Sequence, residues 1–304
     1  MSRKRRSRIA PPVLPGTQSP EPAGGDLGTN PAGAAGEPGS GVTAPGGTVS
    51  GPETAPTGIR WARPTRMVRD PEGQRRTELP VMVADTVVKD YGDILAVNKV
   101  SLKVPRGQKM VVVGPNGSGK TTLIRIVAGL LEATSGEVLI DGAPAGSIEA
   151  RSAVSYIADD PVLYDDLSVI EHLEYIARLH DTADGDRRAE LLIKRLNLTG
   201  REDDLPARFS RGLRQKTSLA LGLVRPFSLL LVDEPFVGLD APGREALLVL
   251  LDEVAASGAA VVVATHQLDF VAGAERCVGL QDGRIVYDGE STPAMVQRLV
   301  GWRA

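Results

Sequence analysis

The sequence predicts an α/β fold with a mostly parallel sheet, an antiparallel β subdomain and a helical subdomain. Three apolar runs predict buried strands of a parallel sheet, because helices cover both faces of such strands. These runs are residues 111–113, 229–232 and 259–264. The first run is followed by a glycine-rich loop and a helix, as expected of an α/β unit. Residues 96–104 alternate apolar and polar side chains, which predicts a half-buried antiparallel strand.

The composition of the chain changes near residue 80. Residues 1–80 contain 13 Pro and 13 Gly and have no sustained apolar periodicity. Such a segment buries too little apolar surface to offset the entropy lost on ordering. We therefore predict a disordered tail over residues 1–80 and one compact domain over residues 81–304, long enough for a substantial core. Removing the tail is expected to leave the activity of the domain intact.

Charge follows the same division. The first 80 residues carry 11 Lys and Arg and 7 Asp and Glu, a net charge of +4; the totals of 35 and 38 leave 24 and 31, a net charge of −7, for the rest. An acidic domain argues against nucleic-acid binding, which usually needs a basic face. The basic cluster at residues 3–8 could contact anionic lipid or nucleic acid, although a solvated tail is the interpretation we favour.

Cys277 is the only cysteine. An intrachain disulfide is therefore impossible, which suits a reducing cytosol. No stretch approaches the ~18–20 apolar residues of a membrane span, and the basic start lacks the apolar core of a signal peptide. We expect the protein to stay in the cytosol unless a partner recruits it to a membrane.

Other elements are predicted from periodicity, turns and caps. The block of about residues 140–225 has few strand signals and predicts a helical subdomain. In chain order the predicted elements are strands at 81–88, 136–142 and 154–161, helices at 168–179, 187–196, 210–224 and 242–256, strands at 277–281 and 284–288, and a helix at 292–300.

The loop after residues 111–113 has the phosphate-binding pattern G-x-x-x-x-G-K-[ST]. Glycines let backbone N–H groups converge on a triphosphate, and the helix N-terminus adds a favourable dipole. The pattern predicts a P-loop NTPase core in which Lys120 reaches the β- and γ-phosphates of ATP and the Thr121 hydroxyl holds Mg²⁺. The residues predicted to bind the nucleotide are Gly114, Pro115, Asn116, Gly117, Ser118, Gly119, Lys120, Thr121 and Thr122.

Polar residues end two of the buried strands. Asp233 and Glu234 follow one apolar run, where unpaired carboxylates would be costly to desolvate without a bound cation. We predict that Asp233 holds Mg²⁺ and that Glu234 is the general base toward water. His266 ends the strand that begins at residue 259, at the strand end where ligands bind in open α/β sheets, and we place it near the γ-phosphate.

An aromatic residue precedes the phosphate loop. Tyr91 lies 23 residues before Gly114 and could stack on an adenine ring, a contact that contributes about 1–3 kcal/mol. An equally weighted alternative is that it packs under its turn. Val97, in the alternating strand, is also predicted to belong to the nucleotide site.

Together these motifs resemble, in order and rough spacing, the ATPase domain of ABC transporters over residues 81–304. In that family two ATPase domains enclose two ATP molecules. The resemblance implies that Ser210 and Gly212 donate to the γ-phosphate held by a partner subunit, and that Asp240 couples the two sites. It also implies catalytic roles for Glu234, His266 and Lys120. The residues that carry it are Tyr91, the loop at 114–122, the segment 209–216, the strand and acids at 229–234, the turn at 238–240 and His266.

The chain departs from the commonest family pattern in two places. The signature segment, usually L-S-G-G-Q, is Phe-Ser-Arg-Gly-Leu at residues 209–213. This form resembles single-domain ATPases of bacterial ABC-2-type exporters, which pair with separate permeases. Asp159 stands where the family usually has a glutamine that binds Mg²⁺ and senses the membrane subunit. A carboxylate can still ligate Mg²⁺, directly or through water.

The resemblance predicts an ATP-binding and ATP-hydrolysing subunit that energises a transmembrane permease for export. It implies a homodimer formed on ATP binding, or a heterodimer with a similar ATPase, at the cytoplasmic face of the cell membrane. No nucleic-acid partner is expected. The alternative is a soluble ATPase of the same type that acts as a regulator or assembly factor without transport.

Overall fold

The computed structural model describes residues 61–63 and 79–301. Most of the predicted tail, including the basic cluster at residues 3–8, lies outside the described residues. The strands are β1 (Met82–Asp90), β2 (Leu95–Val104), β3 (Lys109–Val113), β4 (Ser135–Ile140), β5 (Ala143–Pro144), β6 (Val154–Ile157), β7 (Leu229–Asp233), β8 (Ala260–Ala264), β9 (Arg276–Gln281) and β10 (Arg284–Glu290).

Helices connect and cover these strands. They are α1 (Lys120–Val127), α2 (Ile148–Ala153), α3 (Val169–Leu179), α4 (Gly185–Arg195), α5 (Arg211–Leu223), α6 (Ala241–Ala256), α7 (Leu268–Gly273) and α8 (Pro293–Gly301), with a short 3-10 helix at Pro206–Arg208. Short polar side chains precede several of them and cap their first turns. Ser168 forms a capping box with Glu171 at α3, and Ser210 caps α5.

The main sheet has six strands in the order β10-β9-β3-β8-β7-β6. Its strands from β9 to β6 pair in parallel, and β10 pairs with β9 in the antiparallel sense. The carboxyl ends of β3, β7 and β8 therefore share one edge of the sheet, which brings together the loops that follow these strands. The predicted mostly parallel sheet is confirmed.

A second sheet has four strands in the order β2-β1-β4-β5. Its strands pair in the antiparallel sense, as predicted for the antiparallel β subdomain. One face of this sheet is apolar: Val87, Val100 and Val138 belong to the same buried cluster as Leu123 of α1. The sheet therefore packs on the helix that follows the phosphate loop.

Both faces of the main sheet are buried. Leu230 and Val232 of β7 belong to one apolar cluster, whereas Leu229 and Leu231 belong to the other. Side chains alternate between the two faces of a strand, so the continuous apolar run at residues 229–232 fills both cores at once. This explains why the strands that lead to the site have no polar alternation.

The helical subdomain is smaller than predicted. The predicted block of residues 140–225 includes β6, which pairs in parallel with β7 and belongs to the main sheet. Helices α3, α4 and α5 pack on one another within residues 169–223. The short run of β6 gives a weak pattern in the sequence, and only its pairing with β7 places it in the sheet.

Three residues of the predicted tail pack against the folded core. Trp61 is fully buried and its indole N–H donates to the Leu223 carbonyl across 3.2 Å. Ala62 forms a parallel bridge with Phe227. The prediction of disorder is therefore wrong at residues 61–63, because long-range contacts outweigh the local Pro- and Gly-rich composition.

Candidate active site

The phosphate loop has a backbone that only glycine adopts easily. Gly114 has φ +155°, and a Cβ there would collide with the Leu280 carbonyl oxygen. Gly119 has φ +98°, and a Cβ there would collide with the Ala96 carbonyl oxygen. The two pattern glycines are thus needed for close backbone packing as well as for left-handed dihedrals. Helix α1 starts directly after the second glycine, at Lys120.

Two neighbouring segments brace this loop. Gly283 N donates to the Ser118 carbonyl across 3.1 Å, and Asn98 N donates to the Gly283 carbonyl across 2.8 Å. The start of β2 and the β9–β10 turn therefore hold the loop in place. Ser118 itself is buried, and its Oγ has no hydrogen-bond partner among the described residues. A buried polar atom without a partner in this loop fits an anionic ligand that supplies acceptors.

The Lys120 ammonium points back at its own loop. Nζ donates to the Gly114 carbonyl across 2.8 Å and to the Pro115 carbonyl across 3.2 Å. Burial lowers the pKa of Lys120, while the carboxylates of Glu234 and Asp233 oppose this change. The ammonium thus supplies positive charge at the centre of a loop whose pattern binds phosphate.

Thr121 and Asp233 contact each other although they lie on different elements. Thr121 Oγ1 donates to Asp233 Oδ2 across 2.7 Å. Burial raises the pKa of Asp233; the Thr121 hydrogen bond opposes the rise, and the nearby charge of Asp159 adds to it. A hydroxyl and a carboxylate oxygen are the hard ligands that Mg²⁺ prefers beside substrate phosphates. No group of three or more His, Cys, Asp or Glu arranged for a metal occurs within the described ranges.

Glu234 has a left-handed backbone conformation directly after β7. Its φ is +44°, and its N–H donates to the Ala264 carbonyl of β8 across 2.8 Å. Oε1 lies 3.4 Å from His266 Nδ1, while Oε2 is buried without a hydrogen-bond partner in the part of the chain that is described. Burial raises the pKa of Glu234, and His266 opposes the rise. One carboxylate oxygen thus lies beside the histidine, and the other has no hydrogen-bond partner among the described residues.

The signature segment and the turn before α6 are in contact. The Ser210 hydroxyl accepts from Leu213 N across 3.3 Å, and a Cβ at Gly212 would lie 2.5 Å from the Gly238 carbonyl oxygen. Asp240 caps α6 by accepting from Gly243 N across 3.2 Å. Gly212 therefore allows the start of α5 to lie directly on the 238–240 turn.

Lys216 is a residue of this region to which the sequence analysis gives no role. Its ammonium is buried and lies 2.8 Å from Asp240 Oδ1. The hydrogen bond and charge of Lys216 lower the pKa of Asp240. A lysine on a helix usually points to solvent, so only its spacing of four residues after Gly212, which puts both on one face of α5, could have indicated that it faces the turn.

The structure bears differently on the predictions for Asp159, Tyr91 and Val97. Asp159 Oδ1 accepts from Arg211 Nη2 across 3.1 Å. The Tyr91 side chain is 57% exposed in the β1–β2 connection, with the Lys89 ammonium 5.1 Å from its ring centroid. The alternative in which Tyr91 packs under its turn is therefore wrong, and stacking on adenine stays a prediction. Val97 is only 1% exposed within an apolar cluster, so its side chain offers no surface to a nucleotide, contrary to the prediction.

Comparison with known proteins adds an independent result. Residues 97–237 match the protein family described as ABC transporter. The chain is similar to the SkfA peptide export ATP-binding protein SkfE of Bacillus subtilis (strain 168), with 34% identity over 213 residues that cover 69% of this chain and 89% of the relative.

Solved structures give the same result. A structure described as the ATP-binding subunit of an ABC transporter aligns with a TM-score of 0.66 and 31% identity over 73% of this chain and 95% of its own length. The dimeric post-hydrolysis state of the ATP-binding cassette MJ0796 bound to ADP and Pi aligns with a TM-score of 0.64 and 26% identity, covering 69% of this chain and 98% of that one.

Proposed function

This chain belongs to the family of ABC transporter ATP-binding proteins and is an ATP hydrolase of that type, and from this premise we propose that it energises a separate membrane permease that exports its substrate. The main observation in support of ATP hydrolysis is that four side chains converge where the carboxyl ends of the main-sheet strands meet. They are Lys120, Thr121, Asp233 and Glu234.

Phosphate binding is the first step for which this chain has the necessary groups. The loop N–H groups and the start of α1 face the β- and γ-phosphates, and Lys120 exchanges its two carbonyl contacts for phosphate oxygens. Thr121 and Asp233 would hold Mg²⁺, with Asp159 as a further oxygen ligand. When bound, Mg²⁺ neutralises charge on the β- and γ-phosphate oxygens. The Thr121–Asp233 hydrogen bond supports this proposal, because it already places two oxygen ligands together.

Glu234 is the residue proposed to activate the attacking water. Its Oε2 accepts the proton of the attacking water, since Oε1 is turned toward His266. A raised pKa brings the carboxylate closer to the operating pH, which makes it a better base. His266 positions the carboxylate and contacts the γ-phosphate. Tyr91, whose ring is exposed, stacks on the adenine.

A second ATPase subunit completes the site. Ser210 and Gly212 donate to the γ-phosphate bound by the partner subunit, and Asp240 couples the two sites. The solved cassette that aligns with this chain is described as dimeric, which supports a dimer for this chain. The Gly212–Gly238 contact supports the coupling, because a shift of the signature segment would reach the turn that carries Asp240.

The permease is proposed to dock beside Asp159. Exposed apolar side chains lie on the segment after Asp159 and on α3: Val162, Tyr164, Tyr175 and Leu179. An open groove of about 560 Å³ runs along α3 and is lined by Leu167, Glu171, Glu174, Tyr175, Arg178 and Leu179. Such a patch with a polar rim is typical of a protein interaction site. Among the described residues no helix has the length and apolar character needed to cross a membrane.

Export is the direction that the relatives favour, because SkfE is described as a peptide export protein. Docking on a permease would place this chain at the cytoplasmic face of the membrane. The test is purification of the tagged full-length chain from gently solubilised membranes of its native host. A stoichiometric polytopic protein is expected. Recovery only with soluble partners, together with intact ATP hydrolysis, would contradict the permease and favour a regulator or assembly factor.

A further inference from the structure

Two of the residues at which this chain departs from the family pattern, Asp159 and Arg211, contact each other. Asp159 follows β6, and Arg211 is the first residue of α5, directly after the cap Ser210. Arg211 Nη2 donates to Asp159 Oδ1 across 3.1 Å, although 52 positions separate them in the chain. The pair therefore links two parts of the proposed site. One is the loop after β6, which is proposed to supply a metal ligand, and the other is the signature segment, which is proposed to meet the partner subunit.

Each member of the pair has a second neighbour. The negative charge of Asp159 reaches Asp233, the acid that accepts from Thr121. The aliphatic stem of Arg211 lies on the turn before α6, since a Cβ at Gly238 would be 3.4 Å from its Cγ and 3.5 Å from its Cδ. Asp159 is thus influenced by Asp233 on one side and contacts Arg211 of the signature segment on the other. The aliphatic part of Arg211 stays packed on the turn before α6.

The Arg211 guanidinium is one cationic partner of the Asp159 carboxylate, and a divalent cation held beside Asp233 would be a second. We propose that Arg211 is a positioning residue that holds Asp159 away from the metal, so that Mg²⁺ and Arg211 compete for the same carboxylate. This inference rests on the proposed function of the site. Binding of Mg²⁺ with ATP then releases Arg211 at the moment when the signature segment is needed by the partner.

The test is the Mg²⁺ dependence of nucleotide binding, measured without turnover. A fluorescent, non-hydrolysable ATP analogue is held near its dissociation constant, and free Mg²⁺ is varied with the full-length chain. Because exposed ion pairs are weak, Arg211→Gln is expected to lower the half-maximal Mg²⁺ concentration by about 1.5- to 5-fold. The difference should shrink as ionic strength rises.

The matched control is Arg201→Gln. Arg201 pairs with Asp204 at 3.0 Å, and the side-chain exposures of that pair, 51% and 47%, resemble the 59% and 48% of Arg211 and Asp159. This control should leave the Mg²⁺ dependence unchanged. In an Asp159→Asn background, Arg211→Gln should also have no effect, because the shared carboxylate is gone.

Three outcomes would overturn the inference. Arg211→Gln could match the Arg201→Gln control, or it could raise the Mg²⁺ requirement, which would mean that Arg211 helps metal binding. If Arg211→Gln still lowered the half-maximal Mg²⁺ concentration in the Asp159→Asn background, the loss of one positive charge alone would explain the effect. A wild-type chain that fails to bind the analogue with Mg²⁺ overturns the proposed function as well, so the two failures are distinguishable.

Discussion

Thr121 Oγ1 donates a hydrogen bond to Asp233 Oδ2 across 2.7 Å and so joins the first turn of α1 to the end of β7. Asp233 is buried, and burial raises the pKa of its carboxyl group, whereas the bond from Thr121 opposes that rise. The hydroxyl therefore favours the charged form of a carboxylate that the apolar sheet disfavours. The same two oxygens are the ones proposed to hold Mg²⁺.

Replacing Thr121 by Val removes this hydroxyl at nearly constant shape. We expect the Mg²⁺ concentration for half-maximal ATP hydrolysis to rise about 10- to 100-fold, a range typical of lost supporting groups at metal sites. Thr121→Ser keeps an oxygen at the same place and is the control. A Mg²⁺ requirement that is the same for the Val variant and for wild type would remove Thr121 from the metal site.

Glu234→Gln keeps the size of the side chain but cannot accept the proton of water. Turnover is expected to fall about 10²- to 10⁴-fold, the usual contribution of a general base. ATP binding should persist, because the contacts of Lys120 and the loop are unchanged, and a stable ATP-bound dimer should be visible by size-exclusion chromatography with light scattering. Full hydrolysis by this variant would sink the assignment of Glu234 as the base.

The residues of this site differ in how far sequence could predict them. The loop at 114–122 and the acids at 233–234 follow continuous apolar strands, so local pattern places them correctly. The contact of Asp159 with Arg211 crosses 52 positions, and the buried Lys216 looks like any surface lysine on a helix. Such contacts depend on how α5 packs against the turn at 238–240, and this packing cannot be predicted from local sequence periodicity.

The two members of the Lys216–Asp240 pair are expected to differ in how much stability is lost when each is replaced. Asp240→Ala removes the cap of α6 and leaves a buried ammonium without its carboxylate. We expect the free energy of unfolding, measured with urea, to fall by about 1–3 kcal/mol. Lys216→Met removes the cation instead and leaves the cap intact, so its loss should be smaller. If Lys216→Met costs as much as Asp240→Ala or more, the buried unpaired charge is not the cause.

His180 predicts a dependence of stability on pH. Burial lowers the pKa of this histidine from its ordinary value to about 4, and the positive charges of Arg225 and Arg63 add to the shift. The unfolded chain binds the proton near pH 6.5, so between pH 6.5 and 4 the unfolded state carries more protons. The free energy of unfolding therefore falls as the pH decreases through this window, and the effect is absent above it.

His180→Asn should flatten that fall, because the variant has no proton to bind at this position. The measurement is the thermal midpoint between pH 7.5 and 4.5 for wild type and variant. Equal slopes for the two proteins would show that His180 does not contribute to the acid sensitivity.

Trp61 predicts that part of the presumed tail is needed for stability. Its ring is fully buried in the same apolar cluster as Leu223 and Phe227, and its backbone carbonyl accepts from Phe227 N across 3.1 Å. Trp61→Ala should lower the free energy of unfolding by about 3–5 kcal/mol, the usual loss for a buried Trp. Differential scanning fluorimetry should show a matching decrease in the thermal midpoint.

Two truncations separate this contact from the rest of the segment. Removing residues 1–58 leaves Trp61, Ala62 and Arg63 in place and should keep the thermal midpoint of the full chain. Removing residues 1–80 deletes the indole, its hydrogen bond to Leu223 and the bridge to Phe227, and should destabilise the protein at least as much as Trp61→Ala. A 1–80 truncation as stable as the full chain would restore the view that the tail is dispensable, and would show that the core is equally stable without Trp61.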